Sequence, residues 1–564
     1  MIGYNVKQKT DMKNYIGLSI IALSVGLTSC DNWLDKLPDN RMELSSTEDI
    51  SNLLVSAYSV HNPAYLLEIY SDNADECVNT GWSEAGRFQR QAYLWQDITE
   101  ISDSETPQQL WNAYYSAIAS ANAAIEYVES LDAIEQADYS AQLGEALLCR
   151  AYSMFMLSTV FCNAYSEATA TSDQGLPYPT KTENVVGQVY ERGTLAELYQ
   201  RIDADIQRAL PLVANVYAKP KFHFNVDAAN AFAARFYLYY GQYGKTVEYA
   251  NKVLGSNAAA KLRDWSYYNS LNANGQIQPE AYIAADERAN LMLQVVYSQW
   301  GAVGGPYRLG DLYAHGSRIS HDETMQSTGP WGASSNFKYT IWYNNSLSKY
   351  IFRKVPYEFE YTDLQAGIGY PHAEYSIFNT DELLLERAEA YALLGNLDEA
   401  VKDLNTQLAA FHQAPTTLTV ENITEFYNSI AYYLPTGTKE GAGVYKSQST
   451  PKKRLHPVFG TIGADGSQQE SVLQAVLHLR RILTLHEGLR MQDIKRYGIT
   501  VYRRSMNSDY EITAVTDSML VGDKRLAIQL PQDVITAGLA GNPRTLVADQ
   551  TGSEEVMSTV VDIK

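Results

Sequence analysis

Long apolar runs, basic charge, cysteine and phenylalanine are all in short supply in this chain of 564 residues. The apolar or small stretch from Tyr15 to Leu27 has thirteen residues, and a bilayer-spanning helix needs roughly 20. It is therefore not a membrane span. Lys and Arg number 44 against 65 Asp and Glu, a formal net charge of -21, which argues against nucleic acid or an anionic lipid surface as partner, since both need a basic footprint. The four cysteines include no CxxC and no Cys/His cluster, so nothing indicates structural zinc. Cys149 and Cys162 fall in one expected helix, where their separation is about 20 Å of rise, too far for a disulfide that needs Cα atoms within about 7 Å. With Cys77 they read as buried small hydrophobes. The signatures HExxH, GxSxG, P-loop and dinucleotide fingerprint are missing; "GAVGGPYRLG" is glycine-rich without the spacing. A glycoside hydrolase needs two carboxylates about 5 to 10 Å apart, and among so many acids some pair will satisfy that. The sequence does not exclude hydrolysis, but the reading is a binder and not an enzyme.

Tyrosine, by contrast, is abundant: 42 Tyr and 8 Trp stand against 14 Phe. A ring face with a hydroxyl suits wet, recognising surfaces, although an aromatic core would share part of that pattern. Lys7, Lys9 and Lys13 precede the apolar stretch, small residues close it and a polar segment follows, the layout of a signal peptide. Leu27-Thr28-Ser29-Cys30 resembles a bacterial lipobox, which implies a diacylated Cys30 as the mature N-terminus. A diacylglyceryl group plus an amide-linked acyl chain suffices for stable anchoring. Met12-Lys13 also reads as a natural start. The expected division is a signal peptide over 1–29 and a lipidated tether over 30–45.

Helices are expected at 46–64, capped around Ser45-Ser46, and at 107–131, 138–163 and 191–213 from apolar spacings of three and four. Pro220 breaks the pattern, and an alanine-rich helix restarts at Asp227–Tyr240. "ARFYLYYGQYGKTVEYANKVL" (234–254) aligns without gaps on "AEAYALLGNLDEAVKDLNTQL" (388–408), with Ala234/Ala388, Tyr237/Tyr391 and Gly241/Gly395 coinciding. Helix, glycine turn and helix at this spacing form the tetratricopeptide pattern. The expected fold is mainly α, a scaffold of tetratricopeptide-type helical pairs interrupted by loop-rich insertions with a few short strands. The parts are an N-terminal helical region (46–260), an aromatic-rich ligand-binding insertion (261–375), and a C-terminal region (376–564) holding the second pair, a further insertion at about 413–470, one helix over 470–496 and a mixed tail.

Several segments together resemble the SusD-like (RagB/SusD) nutrient-binding lipoproteins of Bacteroidetes. "CDNWLDKLPDN" with "SSTEDISNLLVSAYS" resembles the N-terminal signature, and "GEALLCRAYSMFMLSTVFCNAY" with "GLPYPT" the helix ending in a G-x-P-x-x-T motif. "ERGTLAELYQRIDADIQRALPLV" is similar to the next helix. "YSIFNTDELLLERAEAYALLGNLDEAVKDLN" and "LHEGLRMQDIKRYG" fit the C-terminal helices, and "LPQDVITAGLAGNPR" resembles the closing motif, with Asp533 at its acidic position. The resemblance implies an outer-membrane, lipid-anchored protein exposed on the cell surface, a lid on a SusC-like TonB-dependent transporter, and oligosaccharide cargo. Some relatives bind peptides, so the cargo stays open.

A sugar site needs aromatic platforms and convergent hydrogen-bonding side chains, each bond netting about 1 kcal/mol. Two loops meet that description: 71–87, with Asp72, Asn73, Trp82 and Arg87, and 297–313, with Trp300, Tyr307 and Arg308 beside glycines that admit a bulky ligand. Trp331 is a further candidate platform. The carboxylates at 72–76 could instead cap a helix or hold calcium, but their spacing is not that of an EF-hand loop, and no cofactor is expected. Arg480, Arg481, Glu487, Arg490, Asp493 and Arg496 lie at helical spacings and read as structural ion pairs.

Overall fold

A computed structural model describes residues 45–77, 85–183, 190–273, 275–303, 312–344, 349–435, 439–440, 444–445 and 449–544. The first helix, α1 (Thr47–Val55), is capped by Ser46, whose hydroxyl accepts from the Asp49 N–H at 3.2 Å. It ends well before residue 64. Ser59 donates to the His61 carbonyl and Asn62 accepts from the Ala64 N–H at 2.9 Å, turn chemistry that competes with a continuing helix. After Pro63 a separate helix, α2 (Ala64–Tyr70), begins, and its residues are all buried. A two-residue strand β1 (Asp75–Glu76) and helix α3 (Arg87–Tyr93) follow.

The long helices α4 (Pro107–Ser130) and α5 (Ser140–Phe161) occupy the spans their periodicity predicts and pack on one another. Thr106 caps α4, and Pro107 stands at the first helical position, where its missing N–H costs nothing. α6 (Leu195–Ala209) starts in a complete capping box of Thr194 and Glu197 and packs on α5.

The internal repeat is two helical hairpins: α7 (Val226–Tyr239) with α8 (Tyr243–Leu254), then, past the insertion, α10 (Thr380–Leu393) with α11 (Leu397–Phe411). Their turns match atom for atom. Gly241 and Gly395 take φ of +79° and +82°, a conformation open to glycine at little cost. The next residue's N–H then returns to the tyrosine of the preceding helix, Gln242 to Tyr237 and Asn396 to Tyr391, both at 2.8 Å. α8 packs against α10, so the two pairs stack although a long insertion separates them in sequence.

That insertion holds more strand than its composition suggests. β2 (Asn290–Tyr297) and β7 (Ile368–Asn379) pair antiparallel, with Gln294 opposite Tyr375 and Tyr297 opposite His372, and β6 (Glu358–Asp363) adds the outer edge. Between them lie β3 (Tyr313–Ala314), helix α9 (Ser317–Glu323) and a hairpin of β4 (Ile341–Asn344) and β5 (Lys349–Phe352).

The single helix expected over 470–496 is two, α12 (Gln468–Leu483) and α13 (Arg490–Tyr497). Gly488 breaks it at φ +73°, and a Cβ there would meet the Ala64 Cα at 2.5 Å. Gly488→Ala should therefore destabilise the protein by at least about 1 kcal/mol. An unchanged urea midpoint would show that the turn yields without cost. The tail carries a hairpin of β8 (Val501–Met506) and β9 (Ile512–Met519) and a short helix Gln532–Thr536.

The tyrosine excess finds its explanation largely in the core. Tyr58, Tyr178, Tyr282 and Tyr497 donate to the carboxylates of Glu145, Asp205, Glu487 and Glu389 at 2.6, 2.5, 2.7 and 2.7 Å. A buried carboxylate needs donors, and phenylalanine has none to offer. Cys77, Cys149 and Cys162 are buried and form no disulfide among the described residues.

Candidate functional site

The two loop regions singled out in the sequence are neighbours in space. β1 pairs antiparallel with β3, Asp75 opposite Ala314 and Glu76 opposite Tyr313, and the Cys77 N–H donates to the Leu312 carbonyl at 2.7 Å. The β4–β5 hairpin joins the same edge: Gly316 bridges to Lys349, and the Tyr350 N–H donates to the His315 carbonyl at 3.0 Å. Chain segments remote in sequence thus meet along one rim.

Beneath that rim lies a buried lattice of charge. Arg490 grips Asp72 with two bonds of 2.8 Å. Arg481 reaches the Asn73 side-chain oxygen at 2.8 Å, the Asp72 carbonyl at 2.7 Å and Glu323 at 3.0 Å. Arg504 holds Asp75 at 2.9 and 2.7 Å and Glu323 at 3.3 Å, and Lys453 reaches Glu323 at 2.6 Å. Burial alone would raise the Glu323 carboxyl, but Lys453, Arg481 and Arg504 overcome it and hold it at about 2. Asp72 is likewise held well below the carboxylate range by Arg481 and Arg490 against the pull of burial. His315, buried under the rim, spans the Asn73 carbonyl (3.0 Å) and Thr324 (2.8 Å); burial, with His486 and Arg481 nearby, keeps it neutral.

This arrangement corrects four of the expected ligand contacts. Asp72 and Asn73 are bound by Arg490 and Arg481 and fasten the rim. Trp300 is buried, stacked on Tyr65 at 4.7 Å, and its indole N–H donates to the His486 carbonyl at 2.9 Å. Trp331 is 0% exposed, with His478 at 4.9 Å and its N–H on Ser334. Both tryptophans are packing residues. Arg87 is exposed at the start of α3, where it donates to Thr99 at 2.5 Å. Trp82, Tyr307, Arg308 and Cys30 lie outside the described residues. The charged cluster of α12 and α13 is structural, as its spacing implied, but it is interior and not a surface array: Arg496 and Arg480 converge on Glu389 of α10. Among the described residues no group of three or more His, Cys, Asp or Glu is placed to hold a metal ion.

What the rim does expose is a short aromatic ladder. Tyr343 of β4 is 52% exposed and stacks on its cross-strand partner Tyr350 at 5.8 Å and 12°. Tyr350 in turn meets the exposed His321 edge-on at 5.4 Å. On the same helix as His321, Arg318 pairs with Asp322 at 3.0 Å, and Glu323 one residue further pins the helix to the lattice. An exposed ring at one end of the ladder, with a helix carrying imidazole, guanidinium and carboxylate packed on the partner strand, offers stacking and directional hydrogen bonds together. Composition pointed to this insertion, but no sequence motif distinguishes Tyr343 from the many buried tyrosines around it.

A family model described as "Starch-binding associating with outer membrane" (SusD-like) matches residues 32–238. A SusD-like protein of Formosa agariphila is 25% identical over 282 residues, 47% of this chain and 51% of the relative, so the match spans about half of that protein. A SusD superfamily protein of Bacteroides thetaiotaomicron superposes with a TM-score of 0.58 at 18% identity, covering 89% of this chain and 100% of its own. Residues 32–238 thus resemble the SusD-like family in sequence, and the chain shares the fold of the SusD superfamily structures. A sugar binding protein, so described, of Bacteroides vulgatus shares the SusD-like fold with a TM-score of 0.57 at 17% identity, over 89% of this chain and 99% of that one. Among the described residues no helix is long and apolar enough to cross a membrane.

Proposed function

We propose that this protein binds oligosaccharides at the rim around Tyr343 and delivers them to a SusC-like TonB-dependent transporter, held at the cell surface by a lipid on Cys30. The observation that carries the reading is the Tyr343–Tyr350–His321 ladder, its two ends exposed and Tyr350 buried between them, standing on a buried ion lattice. A pyranose presents a weakly apolar C–H face ringed by hydroxyls, which a ring flanked by polar side chains complements. A rigid base lowers the entropy lost on binding. The family description of starch binding at the outer membrane supports the same cargo class and location. Trp82, Arg87, Tyr307 and Arg308 remain proposed contacts, since the described flanks of their two loops meet at this rim. Binding is the proposed role, with no catalytic step.

A thermal-shift screen of the full chain in detergent, against glycan and peptide libraries, tests this. A ligand present at 100 times its Kd adds about 2.7 kcal/mol. Tyr343→Ala should weaken glycan binding about tenfold, or about 1.4 kcal/mol, with the unliganded melting temperature held. Stabilisation by peptides alone, lost in Tyr343→Ala, would replace glycan with peptide cargo at the rim, and turnover of a polysaccharide would make the protein a hydrolase. Glycan binding untouched by Tyr343→Ala would remove the rim from the site.

A further inference from the structure

On another part of the molecule α4, the segment carrying Pro177 and Pro179, and the turn after helix Gln532–Thr536 enclose a cavity of about 280 Å³. Trp111 and Tyr115, one helical turn apart on α4, form its floor with ring centroids 4.7 Å apart and planes at 42°. Phe161 backs Trp111 edge-on at 5.4 Å, and the Tyr115 hydroxyl donates to the Pro177 carbonyl at 2.9 Å, so both rings are held without a ligand. Val534, Ala537 and Leu539 close the opposite side. Two features are polar. The Trp111 indole N–H has no acceptor among the described residues, and the exposed Glu183 at the wall is hydrogen-bonded by Tyr190.

We propose that this cavity is a second binding site, separate from the glycan rim, and that it takes an extended peptide segment containing proline next to a basic residue. The lining decides between ligand classes. A sugar ring carries hydroxyls that each need a partner, yet the hydroxyls of Tyr115 and Tyr190 are already engaged, and unpaired groups are costly. A proline ring has no N–H to satisfy. Polyproline II segments dock in aromatic-lined grooves because they are already extended and lose little entropy. Their carbonyls are free to accept from an indole N–H such as that of Trp111. Glu183, on a chain of net charge -21, selects a Lys or Arg beside the proline.

The test uses the full chain in detergent and a fluorescent library of hexapeptides with prolines three apart and one flanking Arg, read by polarisation. A paired library carries Glu in place of Arg. Binding of the Arg library at least fivefold tighter than the Glu library is expected. Ala537→Trp, at an exposed position, should fill the cavity and abolish that binding while leaving glycan binding at the rim unchanged. Glu183→Lys should remove or invert the preference for Arg. No binding by any Arg peptide at 1 mM (about 4 kcal/mol of affinity) overturns the proposal, as does binding indifferent to Ala537→Trp. Binding of maltotriose that Ala537→Trp abolishes would also overturn it, by making the cavity a sugar site.

Discussion

Glu323→Gln should destabilise the protein by about 3–5 kcal/mol, the usual cost of removing one partner from a buried ion pair. Glu323 is 2% exposed and is shared by Lys453, Arg481 and Arg504, which come from three separate parts of the chain. Glutamine keeps the volume but removes a carboxylate that all three contact. Arg504 retains Asp75 and Arg481 retains Asn73, whereas Lys453 keeps no carboxylate at hydrogen-bond distance. Burial already pulls Lys453 down to about 8 in the presence of Glu323, so in the variant it should lose its proton and blunt part of the cost. Chemical denaturation at pH 7 measures the loss, and a change under 1 kcal/mol would mean that the lattice is not what holds the rim. Glycan affinity should fall with it, because α9 carries both Glu323 and His321.

Acid should unfold the protein in a narrow window below pH 4.5. The folded Glu323 carboxyl sits at about 2 against 4.5 in an unfolded chain. Its contribution is therefore complete above 4.5 and is lost as pH falls towards 2, on the order of 3 kcal/mol for the full shift. Glu389, held low by Arg480 and Arg496 against burial, acts in the same direction. Glu105 acts oppositely. Burial raises it to about 7, so it binds its proton more tightly when folded and favours the native state as pH falls from 7 to 4.5. Stability should accordingly peak near pH 5 and collapse below 4. A urea midpoint that stays flat between pH 5 and 3 would contradict this assignment.

Elements whose determinants are local were legible before folding. The Gly241 and Gly395 turns need φ above zero, and the apolar spacing around them needs a helical pair, so aligning two stretches of sequence located both hairpins. Apolar spacing located the helices at 107–131 and 191–213, and the second begins at Leu195, later than expected, where the Thr194–Glu197 capping box sets its start. Locality also explains the failures. The break at Gly488 depends on the approach of Ala64, hundreds of residues away, and the long strand β7 on a partner at 290–297. No helical period reveals either.

The sequence by itself determined the class of the fold, its repeated helical pairs and the two loop regions where a ligand was to be sought. Which side chains face solvent, in those loops and in the rest of the insertion, was decided only by the tertiary structure. Asp72, Asn73, Trp300 and Trp331 have the residue types of a sugar site, and the fold spends all four on packing and ion pairs, leaving Tyr343 exposed. The physical reason is that a carboxylate or an indole recognises a buried arginine or carbonyl by the same bonds it would give a ligand. Only the positions of distant partners show which of the two it meets.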